Sequence, residues 1–399
     1  MTESTRRPQG TPGEVFSAFL KLGLTSFGGP IAHLGYFRDE LVTRRKWMDD
    51  AAYADLVALC QFLPGPASSQ VGFALGLQRA GLLGALAAWT AFTLPSAILL
   101  VLFALSAAAL GGPVGEGLIA GLKIVAVAIV AQAVWGMAKN LCPDRERASI
   151  ALGAVLIVTL LAGSWGQVCA IAAGGALGWW LFGKDAGSSA HVAFHLKRRT
   201  GAALLTLFFA LLLGLPLAAA LFPSAALALF DAFYRAGALV FGGGHVVLPL
   251  LQAEVVHTGW VTSDDFLAGY GAAQAVPGPL FTFAAYLGFV AEPAGGLSGA
   301  GLALIAVFLP GLLLLVGVLP FWDALRTRAQ VQGLMRGANA AVVGILGAAL
   351  YDPVFTGAVI GMPQFALALA GFVLLTAWKT PPWIVVALSA AGGVLLALT

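Results

Sequence analysis

Charged side chains are scarce in this chain of 399 residues. Asp, Glu, Lys and Arg make up 10% of it, whereas hydrophobic residues make up 60%. A soluble domain carries about 25% charged residues, so this composition leaves too few charges to solvate a surface. The net charge of +3 is also too small to indicate a nucleic-acid partner. The composition therefore predicts an integral membrane protein that is surrounded by a lipid bilayer.

Cysteine and catalytic motifs are equally sparse. Cys60, Cys142 and Cys169 show no Cys-x-x-Cys spacing, which argues against a zinc motif and a disulfide framework. The sequence also contains no recognisable nucleotide-binding loop, metal-ligand spacing or Ser-His-Asp order. We therefore predict no metal, no cofactor and no enzymatic activity. A membrane-embedded enzyme acting on a lipid-linked substrate is the less favoured alternative, because it would need a polar catalytic cluster.

Thirteen apolar segments follow one another along the chain. They are rich in Leu, Ala and Gly without the alternation of a barrel strand, so they predict helices. The polar residues 1–13 predict a disordered tail, and the basic stretch 183–199 predicts a cytoplasmic linker between the halves 14–182 and 200–399. The segments are 14–37, 52–78, 81–110, 117–138, 149–163, 165–182, 200–222, 227–250, 266–291, 297–319, 337–350, 354–376 and 382–398.

A short stretch of sequence occurs twice, about half the chain length apart. Phe16–Pro30, which ends in Phe-Gly-Gly-Pro, returns 214 residues later as Phe230–Gly244. Gln61–Pro66, which ends in Pro-Gly-Pro, returns as Gln274–Pro279. Paired apolar halves that are interrupted by Gly and Pro at matching places are typical of transporters built from a duplicated unit.

The Gly and Pro triplets predict breaks within four of the apolar segments: 14–37, 52–78, 227–250 and 266–291. A helix cannot continue through Pro-Gly-Pro, because proline lacks an N–H donor and forces the preceding residue into an extended conformation. Broken backbone at membrane depth is tolerated only where it is buried in protein or lines a water-filled cavity. We therefore expect these breaks to mark a site.

The charges of the connecting loops indicate how the broken segments lie. Loop 38–50 contains four Lys and Arg residues, whereas its copy, loop 251–265, contains none. If the four broken segments are re-entrant, every Lys- and Arg-rich loop falls on one face, which is the cytoplasmic face by the positive-inside rule. The sequence thus predicts an all-α, inverted-topology repeat with nine crossings and four re-entrant segments. The N-terminus would be cytoplasmic and the C-terminus outside.

The breaks also supply candidate ligands for an anion. Glycines allow backbone N–H groups to form a concavity, and a helix start directs partial positive charge at it. Tight helix packing is the alternative role for the glycines, and helix capping is the alternative role for the hydroxyls. The predicted substrate-binding residues of the breaks are Ser26, Phe27, Gly28, Gly29, Pro64, Gly65, Ser68, Ser69, Gly242, Gly243, Gly244, Pro277, Gly278 and Thr282.

Three cations within apolar segments are further candidate substrate ligands: Lys123, Lys21 and Arg235. An uncompensated cation inside a membrane is expensive, which makes each a functional hypothesis. Lys21 and Arg235 occupy the same repeat position, and snorkelling to the interface is their alternative role.

The remaining titratable residues give weaker signals. His33 and His245 follow the Gly breaks and are candidates for proton coupling. Asp231 and Glu254 are expected near a membrane interface, without counterparts in the first half. Because acids are scarce within the apolar segments, whereas cations and donors are in excess there, the pattern favours an anionic substrate.

At these residues the chain resembles the chromate ion transporter family in its long, two-domain form. The resemblance rests on Phe27–Pro30, Pro64–Pro66, Phe241–Gly243 and Pro277–Pro279, and it extends from about residue 14 to 375. It implies inverted halves and a secondary transporter that exports chromate across the cell inner membrane, with sulfate as competitor or co-substrate. Pro30 is replaced by Gly244 in the second copy, so the two Gly breaks need not contribute equally.

Several alternatives stay open at this stage. Proton-coupled uptake or exchange of sulfate, and an anion channel, are compatible with the same residues. The sequence leaves open the preferred oxyanion, the driving force and the oligomeric state, for which a homodimer is one candidate.

Overall fold

The structure is a computed structural model that describes residues 10–107, 112–161, 163–183 and 196–399. Helices make up most of this part of the chain, and it contains no strand. Residues 1–9 of the predicted tail and residues 184–195 of the predicted linker lie outside the described residues. The first helix begins at Pro12, capped by the Thr11 side chain, which accepts a hydrogen bond from the Glu14 N–H.

Helices of the two halves follow one another in a similar order. Those of the first half are α1 (Pro12–Thr25), α2 (Gly29–Phe37), α3 (Asp50–Phe62), α4 (Ala67–Ala107), α5 (Gly112–Leu141), α6 (Arg145–Leu160) and α7 (Ser164–Phe182). Those of the second half are α8 (Arg198–Leu221), α9 (Ala225–Ala238), α10 (Val247–Val255), α11 (Ser263–Ala273), α12 (Phe283–Val290), α13 (Gly296–Val318), α14 (Trp322–Arg326), α15 (Ala329–Ala349), α16 (Thr356–Ala358), α17 (Met362–Thr376) and α18 (Pro382–Leu398). A π-helical turn, Arg38–Arg44, follows α2, and α4 is kinked at Ala80 and Gly81.

The four predicted interruptions are present as breaks in the helices. In the first half they leave residues 26–28 and 63–66 outside any helix. In the second half α9 and α10 are separated by residues 239–246, and α11 and α12 by residues 274–282, each with a short 3-10 turn before the next helix. The Gly and Pro triplets therefore predicted the positions of the breaks correctly.

Hydrogen bonds bring the ends of three of the four broken segments close to one another. The Trp47 indole N–H donates to Glu14 near the start of α1 (3.2 Å). The Arg79 guanidinium, before the kink in α4, also donates to Glu14 (3.0 Å). In the second half the Glu292 N–H donates to the Trp260 carbonyl (3.0 Å). Re-entrant segments would have their ends close together in this way, and re-entrance, sidedness and the inverted arrangement stay predictions.

A helix lies at each of the nine predicted crossings. Of the helices in the described ranges, five are long and apolar enough to span a membrane: Ala67–Ala107, Gly112–Leu141, Arg198–Leu221, Gly296–Phe321 and Ala329–Ala358. The other four predicted crossings correspond to α6, α7, α17 and α18, which have 16, 19, 15 and 17 residues. The number of helices that cross stays a prediction.

The two halves interlock through their long helices. The last helix of each half packs along the central helix of the other half: α18 against α5 and α7 against α15. Small residues allow this approach, because a Cβ added at Gly121 or Gly337 would collide with the backbone of the partner helix. Such contacts between small residues are characteristic of helix packing in membranes.

Labelling can test the predicted orientation of the halves. In a background without Cys60, Cys142 and Cys169, a membrane-impermeant maleimide added outside should modify Thr258→Cys and spare Thr43→Cys. Both positions are exposed, and the reason for the difference is the Lys and Arg content of their loops. Labelling of both positions from one side would contradict the inverted repeat.

Candidate functional site

Two reciprocal hydrogen bonds connect the breaks of the two halves. The Gly65 N–H donates to the Val240 carbonyl (2.8 Å), and the Gly278 N–H donates to the Ser26 carbonyl (2.9 Å). Gly65 and Gly278 occupy one repeat position, and Ser26 and Val240 occupy another. Each Pro-Gly-Pro break is therefore bound to the Gly break of the other half.

The two Gly breaks contact each other directly. A Cβ added at Gly244 would lie 3.1 Å from Cγ of Pro30, and these residues are equivalent in the repeat. Equivalent residues of two related halves touch only near the axis that relates them. The four breaks thus meet at the centre of the duplicated fold, where the predicted residues of both halves come together.

Each Pro-Gly-Pro break also packs on a long helix of the other half. Gly278 lies against Ser96 in α4, and Gly65 lies against Gly311 in α13. Ser96 and Gly311 are equivalent, because Phe92–Pro95 matches Val307–Pro310 in the repeat. Gln70 reinforces the second contact, because its Nε2 donates to the carbonyls of Pro64 (3.0 Å) and Gly311 (2.9 Å). Sequence reasoning had not identified Gln70 as a brace, since its partner Gly311 is 241 residues away.

The glycines of the breaks serve two different purposes. Gly28, Gly29 and Gly243 have φ values of 99°, 76° and 144°, in the region that favours glycine. A Cβ at Gly29 or Gly243 would meet nothing within 4 Å, whereas one at Gly65 would meet Gly311 at 3.0 Å. Tight packing therefore explains Gly65 but not Gly29 or Gly243, beside which the backbone faces open space.

A small cavity lies between the Gly break of the first half and the Pro-Gly-Pro break of the second. Its volume of ≈ 20 Å³ suffices for about one water molecule. Nε2 of Gln274 has no hydrogen-bond partner among the described residues, and Nδ1 of His245 lies 2.8 Å from the Tyr270 hydroxyl. The lining residues are Gly28, Gly29, His245, Ala273, Gln274, Val276, Gly278, Leu280 and Pro382.

Other predicted residues of the breaks have local partners. The Thr282 hydroxyl donates to the Pro279 carbonyl (2.8 Å), and it makes no capping hydrogen bond to the N–H groups of α12. The Phe27 ring packs on Trp383, with ring centroids 6.3 Å apart. Gly242 lies beside Leu141 and Met137 of α5.

The cations at equivalent repeat positions form equivalent ion pairs. Lys21 pairs with Glu40 (2.9 Å) and Arg235 pairs with Glu254 (2.9 Å), and both pairs join residues 19 apart in sequence. Arg235 also pairs with Asp231 (3.0 Å). The expectation that Glu254 has no counterpart in the first half was wrong, because Glu40 occupies the same repeat position.

Glu40 is held by more than one cation. Its carboxylate accepts hydrogen bonds from Lys21, from Arg45 (3.0 Å) and from Arg44 (2.7 Å). Lys21 and these guanidinium groups lower the pKa of Glu40 to about 2, so the carboxylate stays charged at neutral pH. The first-half cluster therefore retains two cations when Lys21 is removed.

Lys123 is also paired with a carboxylate. Its ammonium lies 2.6 Å from Asp264, at the start of α11. Asp264 is 70% exposed and Lys123 is 16% exposed. The assumption that Lys123, Lys21 and Arg235 are uncompensated charges was therefore wrong, while their contact with substrate stays a prediction.

The fold and the meeting of broken helices at its centre define a multi-pass membrane protein of the transporter class. The family model described as Chromate transporter matches residues 13–179 and 227–394, once in each half. The chain belongs to the chromate transporter family. The resemblance inferred from the Gly and Pro triplets is thus confirmed.

Full-length relatives agree with this assignment. The Chromate transport protein of Pseudomonas aeruginosa is 31% identical, over 98% of this chain and 93% of its own. The Probable chromate transport protein of Synechococcus elongatus is 29% identical, over 94% and 93%. The Chromate transport protein of Cupriavidus metallidurans is 28% identical, over 93% and 90%. No solved structure matches the chain. Because the relatives are named as transport proteins, the protein is a transporter rather than an enzyme.

Alanine substitutions can separate the two purposes of the glycines. Gly65→Ala should lower the melting temperature strongly, because its Cβ meets the backbone of Gly311 in addition to the backbone strain. Gly29→Ala should cost only the strain of a left-handed residue, about 1–2 kcal/mol, and should leave folded protein with impaired transport. Thermal unfolding in detergent and flux in liposomes measure the two effects. Equal melting temperatures would show that packing between the halves does not depend on Gly65.

Removal of one cation from each ion pair should have unequal effects. Arg235→Gln leaves the buried carboxylates of Asp231 and Glu254 without their guanidinium, a loss of about 3 kcal/mol for a buried pair. Lys21→Gln should cost about 0–1 kcal/mol, because Lys21 is 51% exposed and Glu40 keeps two arginines. Melting temperatures in detergent test this difference. A raised KM in both variants at unchanged stability would instead favour substrate contact.

Proposed function

We propose that this protein exports a tetrahedral oxyanion, chromate, across the cell inner membrane, with sulfate as competitor or co-substrate. The observation that carries the proposal is the meeting of the four breaks, with a cavity between the Gly break of the first half and the Pro-Gly-Pro break of the second that is lined by open backbone at Gly29 and by the unpaired Nε2 of Gln274. The names of the full-length relatives support chromate as substrate. The preference between chromate and sulfate is left to measurement.

The chemistry of the breaks suits an anion. A dianion that leaves water needs hydrogen-bond donors and positive potential to offset its desolvation. The first turns of α2 and α4 have N–H groups without acceptors within their own helices, and both begin at the breaks. Helix starts of this kind bind oxyanions through these N–H groups and the helix dipole.

The membrane potential supplies a driving force for export. One charge that moves through 100 mV gains about 2.3 kcal/mol, so a dianion that leaves a negative interior gains about 4.6 kcal/mol. By the rule of tenfold per 1.4 kcal/mol, this sustains a gradient of about a thousandfold. Export therefore requires no coupled ion.

Proton-coupled exchange is the second candidate, and a buried acid favours it. Asp55 in α3 is 3% exposed, although sequence reasoning had found no convincing acid within the apolar segments. Buried carboxylates in membrane segments commonly act in proton transfer. His33, in α2 after the Gly break of the same half, is a second candidate for proton transfer.

The cavity must expand for transport to occur. Its volume of ≈ 20 Å³ is too small for an oxyanion of five heavy atoms, which needs more room than one water molecule. In the proposed mechanism, each of the two backbone hydrogen bonds between the breaks closes one side of the site. We infer that opening alternates between the equivalent contacts Gly65–Val240 and Gly278–Ser26, in the manner of transporters with inverted repeats.

Flux measurements test the proposed function. The full chain in liposomes loaded with chromate should release it with saturable kinetics, faster when the exit compartment is positive, and sulfate should compete. A pH gradient at zero potential should drive little flux if export depends on the potential alone. Flux that depends on the proton gradient and not on the potential would favour proton-coupled exchange. Non-saturable flux would indicate a channel.

A further inference from the structure

Several buried positions around the breaks are polar in the first half and apolar in the second. These residues have kept equivalent places in the repeat, so the difference lies in their side chains and not in the fold. His33, Ser68 and Thr93 of the first half correspond to Val247, Phe281 and Phe308 of the second. The second-half rings of Phe281 and Phe308 pack on each other, with centroids 5.6 Å apart.

Six buried polar atoms of the first half have no hydrogen-bond partner within the described ranges: Oε1 of Gln70, Nε1 of Trp89 and four hydroxyl or imidazole atoms. These four hydroxyl or imidazole atoms belong to residues that are at most 2% exposed. A buried polar group without a partner loses its hydration with no compensation, which makes such groups rare in folded proteins. The four atoms are Oγ of Ser26, Nε2 of His33, Oγ of Ser69 and Oγ1 of Thr93.

Ser69 differs most clearly from its copy. The equivalent residue, Thr282, donates its hydroxyl to the carbonyl of Pro279 at the adjacent break. Ser69 occupies the same place after Pro66, yet its hydroxyl has no partner in the described part of the chain. A hydrogen bond to the neighbouring backbone therefore accounts for the Thr282 hydroxyl and not for the Ser69 hydroxyl.

Contacts place the four residues that carry these atoms, directly or through a sequence neighbour, in one region of the fold. Nδ1 of His33 lies 3.3 Å from the Ser68 hydroxyl, and the His33 ring packs on Phe92, next to Thr93, at 5.3 Å. The backbone of Ser26 also lies near the His33 ring, although Nε2 has no partner with hydrogen-bonding geometry.

The hydrogen bond between Gly278 and Ser26 lies next to these residues. Gly278, whose N–H donates to the Ser26 carbonyl, lies against Ser96. The Ser96 hydroxyl in turn donates to the Thr93 carbonyl (3.1 Å). The residues that carry the free atoms are therefore close to the contact between the Gly break of the first half and the Pro-Gly-Pro break of the second.

These atoms are suited to donate to an anion. In the tautomer of neutral His33 in which Nδ1 accepts from the Ser68 hydroxyl, the proton is on Nε2, which is then a free donor. Three hydroxyls add three more donors, and Ser69 lies in the first turn of α4, where the backbone N–H groups lack acceptors within the helix. The described residues that supply these atoms carry no negative charge.

We infer that Ser26, His33, Ser69 and Thr93 form the subsite that binds the oxygens of a tetrahedral oxyanion, and that the second half supplies no equivalent subsite. The inference rests on the proposed function and deepens it, because it assigns substrate recognition to one half of a duplicated fold. The competing occupant of this region is an ordered water molecule.

The test uses the full chain in liposomes and chromate as the probe, at a fixed membrane potential. Ser69→Ala and Thr93→Val should each raise the apparent KM for chromate about tenfold or more, since each removes a hydrogen bond to a charged group. Thr376→Val is the matched control, because the Thr376 hydroxyl donates to the Phe372 carbonyl within α17 (2.7 Å). The KM of this variant for chromate should stay within about twofold of the wild-type value, well below the rise expected when one hydrogen bond to the anion is lost.

A second readout separates loss of binding from loss of folding. Saturating chromate should raise the melting temperature of the wild-type protein in detergent, as a ligand of the native state does. This rise should shrink in Ser69→Ala and Thr93→Val and persist in the control variant. If Thr93→Val fails to fold, Ser69→Ala carries the test, because it removes one oxygen without adding volume.

The outcomes distinguish the inference from the proposed function. A saturable chromate flux with an unchanged KM and an unchanged thermal shift in both variants would overturn the subsite and leave the proposed function intact. In that case the free atoms bind water. A wild-type protein without saturable oxyanion flux would overturn the proposed function, and the inference with it.

Discussion

The reciprocal hydrogen bonds between Gly65 and Val240 and between Gly278 and Ser26 are the constraint on which the rest of the structure depends. A helix break frees peptide groups, and an apolar surrounding makes each unpaired group costly. Here the break of one half supplies the partner for the break of the other. One N–H of each Pro-Gly-Pro break is paired only across the halves, which favours interlocked units, as does the packing of α5 with α18 and of α15 with α7.

The ion pairs Lys21–Glu40 and Arg235–Glu254 also constrain the shape of the two segments that contain the Gly breaks. A straight helix would separate residues 19 apart by about 28 Å, yet Lys21 meets Glu40 and Arg235 meets Glu254 within 2.9 Å. Each ion pair therefore brings the two arms of its broken segment together, and the Gly break forms the turn between them. This explains why duplication kept a cation at the same place in both halves without any need for two substrate contacts.

The breaks could be predicted because Gly-Gly and Pro-Gly-Pro act locally on the backbone, through φ and through missing donors. The tertiary partners of the charged residues could not be predicted. Lys123 appeared to be a lone cation because its partner, Asp264, follows 141 residues later. The repeat predicts that Glu40 is the copy of Glu254. Glu40 lies in an arginine-rich loop outside the apolar segments, so intramembrane charge alone does not point to it. Thr93 gave no signal, since a single hydroxyl in an apolar segment has no periodicity.

Duplication and specificity place different demands on the two halves. Alternating access needs two equivalent backbone contacts, and the glycines and prolines that make them occur in both copies. A single anion needs only one set of donors, and a second set without a ligand would leave buried polar groups unpaired at a cost of about 1–3 kcal/mol each. Phe281 and Phe308 avoid that cost by packing on each other. Symmetry in the backbone and asymmetry in the side chains are therefore both expected of a duplicated transporter with one binding site.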